Sequence, residues 1–166
     1  MVPLFKSLVR PILEYANSVW ANNSRKNIDS IEHVQRFFTR CIIEVKELSY
    51  EDRLKSLNLP SLEFRRFRGD LIETYKITHE IYDVTTTKTL FTYSENNNNL
   101  RGHNYKLEKI RTNKSTFRSF FTNRVVNTWN KLPADIVNST TLNSFKNKVD
   151  KLYKDKMFLI NANFYD

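Results

Sequence analysis

Apolar residues recur at helical spacing in one segment after another, and that period limits the fold more than any other feature of the chain. Over residues 1–20, steps of about 100° put Leu4, Phe5, Leu8, Val9, Ile12, Leu13, Tyr15, Ala16, Val19 and Trp20 on one half of a helical wheel. Lys6, Ser7, Arg10, Glu14, Asn17 and Ser18 fill the other half. Pro11 removes a backbone donor and is expected to kink this helix. An apolar face half a circumference wide needs covering, which first suggests a missing partner. The 22–24 stretch breaks the period. Ser24 or Asn27 then caps a second helix to about Lys46, with Ile31, Val34, Phe38, Cys41, Ile42 and Val45 inward. Asp29, His33, Arg36 and Arg40 lie opposite.

Ser49 with Asp52 reads as a variant capping box opening a short helix through Leu57. Ser61, after Pro60, caps a longer helix to Tyr82 with a stripe of Phe64, Phe67, Leu71, Tyr75, Thr78 and Tyr82. Arg65, Arg66, Glu73, Lys76 and Glu80 are expected outside, with Arg66–Asp70 and Lys76–Glu80 at i,i+4. Residues 48–82 hold six cations and six acids, a balance that reads as structural. Residues 83–99, polar and without period, form a flexible linker. Alternation over 105–110 predicts a short strand. Residues 117–131 predict one helix with Phe117, Phe121, Val125, Trp129 and Leu132 on a face, ended by Pro133. Thr140 or Thr141 caps a last helix, with Leu142, Phe145, Val149, Leu152 and Tyr153 inward and Lys146, Lys148, Lys151 and Lys154 outward. The expected fold is mainly α: a helical bundle over 1–47, a helical segment over 48–82, the linker, a basic helical module over 100–156, and a tail over 157–166.

Charge is concentrated where the periodicity is weakest. Residues 101–131 carry Arg101, Lys106, Lys109, Arg111, Lys114, Arg118, Arg124 and Lys131 against Glu108 alone, +7 of the chain's net +9. Tyr105, Phe117, Phe120, Phe121 and Trp129 are interleaved with them. Cations attract phosphates without regard to sequence, and flat rings can stack on bases. Solubility alone does not require such clustering, whereas the rings serve a core equally well. Two isolated glycines, Gly69 and Gly102, exclude a P-loop and a dinucleotide fingerprint. One cysteine excludes an internal disulfide framework. No apolar run approaches the ~18 residues of a membrane span, and no signal peptide is visible. The expected setting is intracellular, nuclear or cytoplasmic, without a membrane partner.

Catalytic chemistry has little to rest on. Polymerases and nucleases cluster carboxylates around metal ions, and here the acids are dispersed among Lys and Arg. His33, His79 and His103 share no metal-ligand spacing. His103 follows Arg101–Gly102 at a turn, where a phosphate contact and a bonded turn residue are both open readings. Cys41, on the inward stripe of the second helix, reads as a core thiol.

The segments LFKSLVRPILEYANSVWANNSRKNIDSIEHVQRFFTRCI, YEDRLKSLNLPSLEFRRFRGDLIETYKI, LRGHNYKL, FRSFFTNRVVNTWNKLPADIV and LNSFKNKVDKLY resemble successive blocks of reverse transcriptases from LINE-type (non-LTR) retrotransposons, the jockey-like group especially. The blocks run in the same order and cover about residues 4–153. The first is similar to the thumb that follows the palm subdomain. The resemblance implies a parent enzyme that copies RNA into DNA at a nicked chromosomal target. That family's paired palm aspartates, third upstream aspartate and endonuclease have no counterpart in this sequence. The chain then corresponds to the thumb and post-thumb region, as a fragment or a degenerate copy.

The residues and the resemblance converge on a nucleic-acid-gripping module that is not an enzyme by itself. Arg36 and Arg40 are expected to touch a template–primer duplex. Arg101, His103, Lys106, Lys109, Arg111, Lys114 and Arg118 are expected to hold phosphates of template RNA or target DNA. The implied partners are RNA template, target DNA and the palm and fingers of the parent polymerase. No cofactor is expected, since Mg²⁺ would sit only in that enzyme's palm. One alternative is a domesticated, stand-alone DNA-binding protein, whose only candidate reading face is Asn123, Asn127 and Asn130. The other is a protein-interaction scaffold docking a partner on its first helix.

Overall fold

The structure, a computed structural model, describes residues 1–21, 24–83, 89–94 and 102–165. It is mainly helical, as the periodicity predicts, and among the described residues the only β pairing is one antiparallel bridge between Tyr93 and Leu107. That bridge stands where a strand is expected over 105–110. The linker expected over 83–99 is described only in part, and its residues 89–94 pack rather than dangle: Phe91 is buried in the core.

The first predicted helix is broken. α1 (Val2–Leu4) runs into a π-helical turn (Phe5–Val9), then α2 (Arg10–Glu14), and α3 (Asn17–Trp20) follows after Ala16 at φ 50°. Pro11 has no N–H and would clash with the preceding turn of a regular helix; the wider π turn just before it absorbs the conflict. Phe5 is buried and stacks on Phe38 with centroids 4.3 Å apart. Leu4, Leu8, Ile12, Tyr15 and Val19 stay largely exposed.

α4 (Arg25–Arg40) stops before Lys46, and a 3-10 turn (Ile43–Val45) completes the expected span. Ser24 stands at its N-cap without a side-chain cap bond. The helix is also rotated from the expected stripe. Ile28, Glu32, Gln35 and Thr39 face inward, whereas Val34, Phe37 and Cys41 are exposed. The reason lies in what it packs against. α5 (Tyr50–Ser56) presents the Tyr50 and Arg53 side chains to it, and the start of α6 (Leu62–Thr78) presents backbone groups that need polar partners. The Glu32 carboxylate accepts from Leu62 N (3.2 Å), Glu63 N (3.1 Å) and the Tyr50 hydroxyl (2.6 Å). Gln35 Nε2 donates to Pro60 O, and Arg53 Nε to the Thr39 hydroxyl. Burial pushes the Glu32 carboxyl above its ordinary value, against the pull of these bonds.

The predicted caps of α5 and α6 are present: Ser49 Oγ accepts from Asp52 N and Ser61 Oγ from Phe64 N. α6 ends at Thr78, short of Tyr82, which is exposed. Its stripe of Phe64, Phe67, Leu71, Tyr75 and Thr78 is buried. α3, α4 and α11 (Leu142–Leu152) pack against it. Gly69 makes the α3 approach close, since a Cβ there would meet Asn17 Nδ2 at 3.1 Å. Asn17 Nδ2 donates to Arg66 O at the same crossing.

The expected single helix over 117–131 is three short ones: α7 (Ser115–Ser119), α8 (Phe121–Arg124) and α9 (Val126–Lys131). Phe120, extended at ψ 144°, separates the first two. Phe117 therefore leaves the shared face and is exposed, while Val125, Trp129 and Leu132 remain buried. Leu132 ends α9, and Pro133 opens the additional α10 (Ala134–Val137). Thr141 caps α11 through Ser144 N. Phe145 and Val149 point inward as predicted; Leu152 is exposed instead.

One hydrophobic cluster draws on Phe64, Phe67 and Leu71 of α6, Phe91, Leu107, Val125, Trp129, Ile136, Phe145 and the tail residue Phe164. Segments 48–82, 100–156 and 157–166 thus share a single core. The tail has no period because it packs as an irregular strap, with Phe164 stacked 4.8 Å from Phe67. No helix of the described residues is long and apolar enough to cross a membrane.

Candidate nucleic-acid interface

The basic segment leaves the core from a fixed point on α9. His103 Nε2 donates to Trp129 O (3.1 Å), and Trp129 Nε1 donates to Tyr105 O (2.7 Å). Asn130 closes the anchor twice, accepting from Leu107 N (2.9 Å) and donating to Leu107 O (2.8 Å). Across the loop, Ser94 N donates to Lys106 O and Glu108 N to Thr92 O. Residues 103–108 are therefore held by hydrogen bonds from two sides, side-chain bonds at α9 and backbone bonds at Thr92 and Ser94. Gly102 adopts φ 124°, a conformation that favours glycine, with the Lys106 side chain packed over it.

Beyond that anchor the cations turn outward. Lys109, Arg111 and Lys114 are exposed, and Arg118, also exposed, donates from Nε to Thr112 O, closing the loop's far end. Exposed Ile110, Phe117 and Phe120 stand among them, the two rings 5.1 Å apart. The segment thus combines exposed cations with exposed rings on a braced loop, the combination that single-strand binding surfaces use. Lys106 is half-buried. Arg36 and Arg40 are exposed one turn apart on α4, with the Arg36 guanidinium 4.9 Å from the Tyr50 ring centre.

One expected contact falls out of this surface. His103 is buried, and its Nδ1 has no partner among the described residues. It braces the loop instead of reaching solvent, and burial lowers its pKa from 6.5, with the nearby Lys106 charge acting in the same direction. Arg124, one of the counted cations, is internal: its guanidinium grips Asp70 at 2.7 and 3.0 Å and donates to the carbonyls of Ala21 and Ser119. Tyr165 donates to the same carboxylate at 2.6 Å. This replaces the expected Arg66–Asp70 pair; Arg66 is itself buried, and Lys76 pairs with Glu73 rather than Glu80. Arg101 lies outside the described residues.

The asparagine face proposed for base reading is inward. Asn123 is buried, and Asn130, half-buried like Asn127, is spent on Leu107. Sequence reasoning missed the buried polar residues Glu32, Gln35, Asp70 and Arg124, because periodicity registers apolar positions and leaves polar ones outside by default. Among the described residues no three His, Cys, Asp or Glu side chains are grouped to hold a metal ion. Comparison with protein-family models, curated proteins and solved structures finds no match.

Proposed function

We propose that the chain is a backbone-gripping module for nucleic acid, the thumb and post-thumb part of a LINE-type reverse transcriptase. The observation that carries this is the braced loop bearing exposed Lys109, Arg111, Lys114 and Arg118 beside exposed Phe117 and Phe120. Such cations position a nucleic acid through its phosphates and read no sequence. Arg36 and Arg40 on α4 supply a second phosphate-facing pair. The resemblance in the segment wording supports the polymerase assignment. Exposed Leu4, Leu8 and Ile12 offer the surface that would pack on the rest of that enzyme, whose palm would carry the catalytic aspartates.

The test is binding of the purified chain to random duplexes, RNA–DNA hybrids and single strands across a salt series. The reading expects all three to bind, without preference among duplex sequences, and a slope of log K against log salt of roughly −3 to −5, four to six contacts at about 0.7 to 0.9 each. Strong preference for one duplex sequence would favour the stand-alone DNA-binding protein; binding absent at low salt would leave the protein scaffold.

A further inference from the structure

Four aromatic rings are stacked in a row that runs from the core to the surface. Phe145 lies on Tyr75 with centroids 4.4 Å apart and planes 23° apart. Tyr75 lies on His79 at 4.0 Å and 19°, and His79 on Tyr105 at 4.4 Å and 24°. Exposure rises along the row. Phe145 and Tyr75 are buried, whereas His79 and Tyr105 are half-buried. Tyr75, His79 and Tyr105, but not Phe145, line an open cleft of about 580 Å³, rimmed by Asn138 and Thr140. The cleft floor is fixed: the Tyr75 hydroxyl donates to Ser139 O at 2.5 Å, and the Tyr105 carbonyl is held by Trp129.

The geometry points to a subsite for one unpaired nucleobase, stacked against the Tyr105 end of this row. This deepens the nucleic-acid reading above and rests on it. Tyr105 is the last ring of the row and part of the cleft wall, where it offers a stacking partner to a flat ring, and each base has one whatever its identity. The exposed Asn138 amide and Thr140 hydroxyl supply both donors and acceptors for a base edge. Lys106 follows Tyr105 directly and the exposed Lys109 and Arg111 come next, so the strand carrying that base meets its phosphate contacts at once. A base paired in a duplex has its faces and edge occupied. The subsite therefore takes a nucleotide from a single-stranded stretch adjoining the gripped duplex.

The full chain tests this by fluorescence anisotropy with a short oligothymidylate and an abasic strand of the same length. The abasic strand should bind about ten-fold more weakly, the value of stacking one base, with an unchanged salt slope. Tyr105→Trp should keep that preference and Tyr105→Leu should lose it. Asn138→Arg, at an exposed position, fills the cleft while adding charge; it should bind both strands more tightly yet lose the preference. Equal affinity of the two strands with a steep salt slope would overturn the subsite and leave backbone gripping intact. Retention of the preference in Asn138→Arg would place stacking elsewhere, which also overturns it. Failure of either strand to bind at low salt would overturn the subsite together with the gripping reading.

Discussion

Arg124 shows how residue identity alone can mislead. It sits in the most cationic stretch of the chain, yet it is buried against Asp70 with Tyr165 bonded to the same carboxylate. Removing one partner of such a pair leaves the other charge buried and uncompensated. Asp70→Asn should therefore lower unfolding stability by about 3–5 kcal/mol in urea denaturation, with the salt slope of nucleic-acid binding unchanged in the folded fraction. His103 and His79 give a pH signature. Burial lowers both from 6.5 in the folded state. As pH falls below 6.5 the unfolded chain binds protons first, so stability is complete above that value and is lost below it. The urea midpoint should fall on acidification through this window. His103→Gln, which keeps a donor for Trp129 O, should show a weaker fall.

At the scale of elements, the caps were the most legible feature. Ser49, Ser61 and Thr141 each accept from the backbone N–H three residues on, as their spacing predicts, because capping is a local interaction. Thr141→Ala should cost about 1 kcal/mol by thermal or urea unfolding, without altering the basic loop. Helix lengths and faces were less legible where distant groups decide them. α4 turns Glu32 and Gln35 inward to serve backbone groups of residues 60–63, partners some thirty residues away that no local pattern contains. The packing of Phe164 likewise depends on tertiary contacts. Of the site, the exposure of Lys109, Arg111, Lys114 and Arg118 agrees with the charge pattern. His103 departs from it because Trp129 needs an anchor that charge counting cannot register.

For the whole molecule, two surfaces remain to be used. The N-terminal one exposes Leu8 and Ile12 at 63% and 76%, beside Leu4 and Tyr15. An apolar surface of this kind marks an interaction site, and alone it should drive association. Light scattering should show mass rising with concentration, and Leu8→Glu with Ile12→Glu should restore a monomer. The other surface is the braced basic loop, on which the functional account stands. Its most direct test is the salt dependence of binding to a random RNA–DNA hybrid, wild type against Lys109→Gln/Arg111→Gln/Lys114→Gln. Phosphate gripping by this loop predicts a slope flatter by about two to three units in the variant, with helical content unchanged by circular dichroism. An unaltered slope in a folded variant would contradict it, because the phosphates would then be held somewhere other than this loop.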